Sequence, residues 1–477
     1  MDEVVWRSVA AQLRDGDITL SGLWGDTDAV HMAILDETSA ELVVVSLECP
    51  QRHFPSVGQI HPPAIRLERT IQDLFGLTAN GSPDARNWLD HGRWGVRHPL
   101  GDRTEPVPSP AYVFLPSDGE GLHQIPVGPV HAGIIEPGHF RFTANGETVV
   151  RLEERLGYVH KGIESLMQDA DLMHAAKLAG RTSGDSTLAY AIGFGRAAES
   201  ALDIEAPARA HWLRGLMAEL ERLANHFGDF GAVCNDASFS LIYAHCGVLR
   251  ERVLRASHAC FGHRLMRDCV VPGGTSVDLD DKDIATLRAL LKDVRQQFPE
   301  IVSTYDNTAS LQDRTVATGV LAPALARQFG AGGYIGRASG RDFDARRAFA
   351  YPPYDQLNFA VPILEEGDVN ARVWIRIREV EQSLSLVEQI LARIPDGPIR
   401  ANLPARAGEG VALVEGFRGD ILVWLRLDDS ARVSRCHLRD PSWFQWPLLE
   451  SVIEGNIVAD FPLCNKSFNC SYSGHDL

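Results

Sequence analysis

The sequence has eight cysteines but no C-x-x-C pair. They lie singly, at positions 49, 234, 246, 260, 269, 436, 464 and 470. Zinc sites and redox motifs depend on closely paired cysteines, so this spacing favours neither. A cytosolic chain would keep such thiols reduced. Isolated cysteines are usually small buried or semi-exposed thiols, and we predict that role for most of them here, with no bound metal.

Long apolar runs and an excess of basic residues are also missing. No run approaches the roughly 18 apolar residues that a membrane-spanning helix needs. The first residues, Met-Asp-Glu-Val-Val-Trp-Arg, lack the basic and apolar regions of a signal peptide. The sequence has 46 basic and 63 acidic residues, which give a net charge of −17. This charge disfavours nucleic acid as a partner. We therefore expect a cytoplasmic protein.

Nucleotide-binding motifs are absent as well. Gly330–Gly333 lacks the preceding strand, the spacing and the acidic partner of a dinucleotide fingerprint. We therefore expect no dinucleotide to bind to this chain.

Length and local patterns predict two domains. Glu41–Leu47 is rich in β-branched residues and predicts a strand. Arg66–Phe75 has helical spacing and ends at a glycine. The proline-rich stretch Thr104–Pro110 predicts an extended connection. We place a first domain at 1–110, a linker at 111–124 and a second domain at 125–477.

The predicted fold class is α+β, with a small N-terminal α/β domain followed by a mainly helical domain. The second domain begins with two β-like runs, Gly138–Phe142 and Thr148–Leu152. Apolar residues at helical spacing then predict a bundle of packed helices. These helices are predicted at about 160–178, 185–203, 207–231, 239–266, 279–298 and 371–393.

Three ordered motifs of the first domain resemble the C-type subunit of bacterial respiratory complex I. Leu67–Gly76 matches its E-R-x-x-x-D-L-F-G element. Pro83–Arg86 and His98–Leu100 match the P-D-x-R and H-P-L elements that follow.

The second domain resembles the D-type subunit of complex I and the large subunits of energy-converting [NiFe]-hydrogenases. Gly128–His131 matches the opening G-P-x-H, and Tyr158–Glu164 matches G-Y-x-H-x-G-x-E. Ala338–Arg346, Pro353–Asp355 and Gly367–Arg372 match later elements in order. The resemblance implies a hydrogenase large-subunit-like fold.

The hydrogenase ligand positions depart from that pattern. Arg181–Ser186 stands where the family has R-x-C-x-x-C, and the C-terminal segment stands where it has D-P-C-x-x-C. The four cysteine positions hold Ser183, Ser186, Ser471 and Gly474. Because a nickel–iron centre needs soft thiolate ligands, we predict that it is absent. These residues would instead line the former metal or quinone cavity.

The positions that face quinone in the D-type subunit of complex I also differ. Counted without gaps, Ile135 stands at the headgroup histidine and Gly184 at the headgroup tyrosine. Glu136 belongs to a segment that resembles the E-G-H element of hydrogenases, whose glutamate relays protons. By resemblance it is a candidate catalytic acid, while the alternative is a surface carboxylate.

Four further residues complete the candidate site. His131 and His139 flank Glu136 and are candidate hydrogen-bond partners for a carbonyl group or proton shuttles, or else structural histidines. Asp185 is a candidate acid facing the cavity, or a helix cap together with Ser183. Arg181 would neutralise an acid or an anionic ligand there.

The resemblance implies a core subunit of a membrane-bound oxidoreductase at the inner face of the cell membrane. A partner iron–sulfur subunit would supply electrons, a quinone would accept them, and antiporter-like membrane subunits would translocate ions. One alternative is a non-catalytic subunit that couples its partners structurally. Another is a hydrogenase with altered ligation, although two serines and a glycine cannot rebuild a soft-ligand site. An open polar cavity would favour catalysis and a packed one would favour the structural role.

Overall fold

The computed structural model describes residues 1–105 and 111–477. Of the predicted proline-rich stretch Thr104–Pro110, residues 106–110 lie outside the described residues.

The first domain pairs a twisted antiparallel sheet with two helices. Strands β1, β2 and β3 are adjacent in that order, and β4 pairs in parallel with β5. The predicted strand at Glu41–Leu47 and the predicted helix at Arg66–Phe75 are found as β3 and α2. The elements are α1 (Glu3–Asp15), β1 (Thr19–Gly25), β2 (Ala29–Asp36), β3 (Glu41–Glu48), β4 (His53–Pro55), α2 (Ile65–Phe75) and β5 (Thr78–Asn80).

The acidic residues of the α2 motif hold the domain's loops in place. The carboxylate of Glu68 accepts the backbone N–H groups of Val57 and Gly58 at 2.6 and 2.9 Å. Asp73 accepts three backbone N–H groups from the segment 88–90. Because buried backbone donors must be paired, these motif residues stabilise the loops that pack on α2.

The second domain is built mainly from helices around three small sheets, β6-β7-β8, β9-β10 and β11-β12-β13. Its N-terminal part contains β6 (Leu122–Val127), β7 (His139–Asn145), β8 (Thr148–Arg155), α3 (Ile163–Met167), α4 (Leu172–Ala179), α5 (Thr187–Leu202), α6 (Ala208–Asp236), α7 (Ser240–Phe261), β9 (Val270–Val271) and β10 (Gly274–Thr275). Its C-terminal part contains α8 (Asp281–Asp306), α9 (Ala309–Thr315), α10 (Pro323–Gln328), α11 (Gly333–Ala338), α12 (Ala345–Ala348), α13 (Val369–Arg393), β11 (Gly408–Glu415), β12 (Asp420–Leu427), β13 (Val433–Arg439), α14 (Ser442–Val452), α15 (Phe461–Phe468) and α16 (Tyr472–Asp476).

The predicted helix at about 160–178 is wrong as a single element. Two helices, α3 and α4, occupy this stretch, and Asp171 begins the second by accepting the N–H of His174 at 2.9 Å. The other predicted helices correspond to α5, α6, α7, α8 and α13, with ends shifted by a few residues. Within the described residues, no helix combines the length and the apolar composition needed to cross a bilayer.

The core of the second domain contains a buried network of charges. Helix α6 packs against α7 and α13, while α5 packs on β11 and β12. Arg337 pairs with Glu379 and with Glu415 at 2.9 Å. Arg346 pairs with Glu219 at 3.0 Å. A buried charge left without its partner is costly, so these residues fix the packing of α6, α11 and α13.

The two domains share a polar and aromatic junction. Arg66 of α2 contacts Glu154 at 3.2 Å and Glu450 at 2.7 Å. The indole Nε1 of Trp88 donates to His475 Nε2 at 3.3 Å. The first domain therefore touches the C-terminal segment that carries two of the predicted site residues.

Candidate functional site

Two distant segments meet where the family pattern places metal ligands. The loop before α5 carries Ser183 and Ser186, and the C-terminal segment carries Ser471 and Gly474. All four residues are buried. The hydroxyl oxygens of Ser183 and Ser471 lie 3.0 Å apart, so the two segments are joined directly by a hydrogen bond.

An ion pair between buried Arg418 and half-buried Asp185 completes this serine cluster, which we define as Ser183, Asp185, Ser186, Arg418 and Ser471. Ser183 Oγ donates to Asp185 Oδ1 at 2.7 Å. Arg418 makes a two-pronged contact with the same carboxylate, with Nη1 2.8 Å from Oδ1. Burial opposes ionisation of Asp185, but the Arg418 guanidinium outweighs it and lowers the pKa of this carboxyl. The cluster is therefore a packed, charge-balanced assembly.

The fourth ligand position is closed by its neighbours. A Cβ atom built on Gly474 would lie 2.4 Å from Asp440 Oδ2. Asp440 is held there because it accepts the Tyr190 hydroxyl at 2.7 Å and the Ser442 N–H at 2.9 Å. Neutral hydroxyls and a glycine offer no soft donor, so the residues present do not fit a nickel–iron centre. Residues 1–105 and 111–477 contain no group of three or more His, Cys, Asp or Glu side chains that could hold a metal ion.

The predicted capping role of Asp185 and Ser183 is wrong. Ser186 is the residue at which α5 begins, and no side-chain cap comes from it. Instead, the carboxylate of Glu221 accepts the N–H groups of Leu188 and Ala189 at 2.7 and 3.1 Å. With α5 capped from α6, Asp185 is free to pair with Arg418.

Arg181 lies outside the serine cluster, contrary to the prediction that it neutralises an acid there. Its guanidinium pairs with Asp268 at 2.5 Å and is 39% exposed. Arg418, which the sequence analysis missed, carries the positive charge. It lies in the turn between β11 and β12, and its sequence signal is only an arginine preceding a glycine.

The loop between β6 and β7, residues 128–138, forms the open side of the site. Glu136 is exposed, and its carboxylate accepts the Ser473 N–H at 2.9 Å. Lys161 Nζ donates to the carbonyl oxygens of Thr182 and Ser473 at 3.0 and 3.3 Å. These contacts hold the loop and both serine-bearing segments together, while Ile134 at the loop tip is 96% exposed.

His131 forms a hydrogen-bonded pair with a residue that the sequence analysis did not single out. The Tyr472 hydroxyl lies 3.2 Å from His131 Nε2. Partial burial, with the nearby Lys466 charge, lowers the pKa of His131, while burial raises the pKa of Tyr472. At neutral pH the pair is a neutral imidazole and a neutral phenol. Tyr472 directly follows Ser471 in the chain, so the pair adjoins the serine cluster.

His139 does not join this pair. It is buried in β7, where its Nδ1 lies 3.4 Å from the Gly128 carbonyl oxygen and its Nε2 accepts from Arg141 at 3.2 Å. These contacts match the structural alternative for this histidine. Cys470 directly precedes Ser471 of the serine cluster. All eight cysteines are buried, which is one of the two roles predicted for them.

Comparison with known families covers both domains. Residues 6–106 match the family described as the respiratory-chain NADH dehydrogenase 30 Kd subunit. Residues 238–407 and 400–476 match the respiratory-chain NADH dehydrogenase 49 Kd subunit. The chain belongs to this 49 Kd subunit family, with a 30 Kd domain joined ahead of it.

Curated relatives include both hydrogenase and complex I subunits. Formate hydrogenlyase subunit 5 of Escherichia coli is 30% identical over 449 residues, covering 91% of this chain and 79% of the relative. Hydrogenase-4 component G of the same organism is 31% identical, covering 94% and 80%. The fused C/D subunit of NADH-quinone oxidoreductase from Phocaeicola vulgatus is 27% identical, covering 85% and 84%.

The predicted resemblance to a complex I C/D fusion and to energy-converting hydrogenases is confirmed by these matches. The chain is a hydrophilic subunit of a complex I-like or hydrogenase-related oxidoreductase. Its relatives are named as subunits or components of larger assemblies.

Proposed function

We propose that this chain passes electrons from a partner iron–sulfur subunit to a quinone or a similar acceptor, without a nickel–iron centre. The observation that carries the proposal is the His131–Tyr472 pair beside the loop 128–138. A count without gaps puts Ile135 and Gly184 at the positions that face quinone in complex I. A histidine and a tyrosine nevertheless meet at 3.2 Å, supplied by other parts of the chain.

This pair has the chemistry that a quinone requires. Reduction adds two electrons and two protons, so the acceptor needs groups that hydrogen-bond its carbonyl oxygens and deliver protons. A phenol donates a hydrogen bond, and an imidazole donates or accepts one. Both groups are held by packing, because Tyr472 is buried against Trp446 and His131 lies against Phe140.

Charged groups nearby support the same role. Glu136 is exposed at the loop and is tied to the backbone of Ser473, next to Tyr472. Lys466 acts on His131 through its charge. A carboxylate reachable from solvent can exchange protons with bulk water and supply them to the pair.

Membrane coupling completes the proposal. Electrons would enter from a small iron–sulfur subunit, and antiporter-like membrane subunits would use the energy released to translocate ions. The chain would lie at the inner face of the cell membrane through these partners. Its net charge of −17 again makes nucleic acid an unsuitable partner.

The packed serine cluster favours a second candidate function. Ser183, Ser471, Asp185 and Arg418 fill the place between the two ligand segments with direct contacts. A site that is closed in this way suits a subunit that couples its partners structurally without redox chemistry of its own. The two candidates differ in whether an acceptor is reduced at the adjacent loop.

Quinone turnover and metal content, measured on one purified sample, distinguish the redox function from the structural one. The intact membrane complex is assayed for reduction of a short-chain quinone, and its nickel is quantified. The proposal expects turnover without stoichiometric nickel and a large loss in His131→Gln. His123→Gln is a suitable control, because His123 is an exposed histidine on β6. Absence of turnover with every quinone tested supports the structural role, and stoichiometric nickel contradicts both candidates.

A further inference from the structure

A cavity of about 200 Å³ lies behind the serine cluster, on the side of α6 and α7. Gly184 and Asp185 line it from the loop before α5, Glu221 from α6, and Ser257 from α7. A cavity of this size holds several water molecules when polar groups line it.

Two polar side chains in this cavity lack protein partners. Ser257 is 1% exposed, and its hydroxyl has no hydrogen-bond partner among the described residues. Arg250, which is half-buried on α7, makes no ion pair or hydrogen bond with any residue in 1–105 or 111–477. A buried hydroxyl without a partner costs free energy unless water satisfies it. The buried Ser257 hydroxyl therefore indicates a hydrated cavity.

Glu221 is the buried acid of this cavity. Its two oxygens accept backbone N–H groups of α5, and its remaining lone pairs are available toward the cavity. Burial raises the pKa of Glu221 to about 8, and the Asp185 carboxylate acts in the same direction, while the two N–H groups and Arg222 act against it. Arg250 and Arg264 also face the cavity, and Arg264 is neutralised by Glu251 at 2.7 Å.

We propose that Glu221 is a proton store for the neighbouring site and that water in this cavity reloads it. The idea rests on the proposed function, since a reduced quinone is what consumes the proton. Nothing in the sequence pattern or in the names of the relatives assigns this residue a role.

The serine cluster supplies the connection to the acceptor. Asp185 lines the cavity, with 35% of its side chain accessible. From it, hydrogen bonds run to Ser183 and on to Ser471, and water would carry the proton over the last step from Ser471 to the Tyr472 hydroxyl. In each cycle the partner's iron–sulfur cluster supplies two electrons, one at a time, and the acceptor takes two protons. One proton leaves Glu221 through water and the hydroxyl chain, and the other comes from solvent through Glu136. A solvent proton then restores Glu221.

Infrared spectroscopy of the intact complex tests the store without relying on turnover. We expect a protonated-carboxyl band at pH 7 that disappears in Glu221→Gln, titrates near pH 8 and remains in Glu300→Gln, a variant of an exposed glutamate. If the spectrum of Glu221→Gln is the same as that of the wild type, the inference is overturned.

A second variant tests the water route. Ala224 is 5% exposed and lines the cavity from α6, so Ala224→Leu should fill it. We expect the band to persist while its exchange in D₂O slows at least tenfold. Unchanged exchange would overturn the route. If Glu221→Gln fails to assemble, the exchange rate of Ala224→Leu and the titration of the wild-type band still test whether water in the cavity reloads a stored proton.

The quinone assay separates the two proposals. With turnover present, Glu221→Gln should lower kcat roughly tenfold and remove the alkaline limb of the kcat–pH profile. Turnover without the wild-type band overturns the proton store alone. A band without quinone turnover overturns the proposed function, and with it the use of Glu221 in that reaction.

Discussion

The two halves of the site hold their polar groups in opposite ways. In the serine cluster, Asp185 and Arg418 neutralise each other and the hydroxyls bond among themselves. In the loop 128–138, Glu136 is exposed and His131 is only partly buried. An ion pair thus occupies one end of the site, while the adjacent loop keeps groups that a ligand can reach. The difference points to the loop as the place for chemistry.

Removing Arg418 should break the closed half most strongly. Arg418→Met leaves the Asp185 carboxylate without its partner, and we expect the opening free energy of residues 183–189 to fall by about 2 to 3 kcal/mol. This expected fall in free energy is smaller than the usual cost of breaking a fully buried pair, because 35% of the Asp185 side chain is exposed. Amide hydrogen exchange in the intact complex measures it.

The matched control is Arg181→Met. It removes an exposed pair with Asp268, and such pairs contribute less than about 1 kcal/mol. Equal effects of the two variants would contradict the assignment of Arg418 as the residue that closes the cluster.

Tyr472→Phe should weaken the open half without loosening the closed one. It removes the hydroxyl beside His131 but keeps the ring packing. We expect quinone turnover to fall about 100-fold, the low end for loss of a positioned proton donor. Tyr158→Phe is the control, because Tyr158 also packs beside a histidine, His91, at 4.5 Å. Similar turnover of the two variants would count against the pair as the acceptor site.

Gly474→Ala tests how tightly the fourth ligand position is closed. The added methyl group would lie 2.4 Å from Asp440 Oδ2, and overpacking of this kind costs about 2 kcal/mol. Hydrogen exchange of the α16 amides measures the loss. The control Gly247→Ala adds a methyl group where nothing lies within 4 Å. An unchanged α16 would show that the position can accept a side chain after all.

Glu136→Gln should have the smallest effect. The amide oxygen can still accept the Ser473 N–H, so the loop keeps its position, while the proton-carrying group is lost. We expect turnover to fall about fivefold, as for loss of one charge-assisted interaction of about 1 kcal/mol. Exposed Glu147→Gln, in the β7–β8 turn, serves as the comparison. A larger fall than that of Tyr472→Phe would shift the main proton donor to Glu136.

Sequence patterns predicted the elements that depend on local spacing. The strand at Glu41–Glu48 and the helix at Ile65–Phe75 follow from β-branched content and from apolar periodicity ended by a glycine. The break at Asp171 escapes this reasoning because apolar spacing continues across the short gap between α3 and α4. A capping residue within such a stretch is the local signal of the break.

The candidate site could be predicted only in part. Ser183 and Ser471 were found because motifs place them, and the structure brings them together at 3.0 Å. Arg418 and Tyr472 were missed because their roles arise from contacts between distant segments. Glu221 of α6 caps the first residues of α5. No local pattern around Ser186 reveals this contact between two helices.

Imaging the intact complex with a bound short-chain quinone would test the central claim most directly. The account predicts quinone density within hydrogen-bonding distance of the Tyr472 hydroxyl and His131, with the ion pair between Asp185 and Arg418 intact beside it. Density for the quinone elsewhere, or a metal between Ser183 and Ser471, would contradict it.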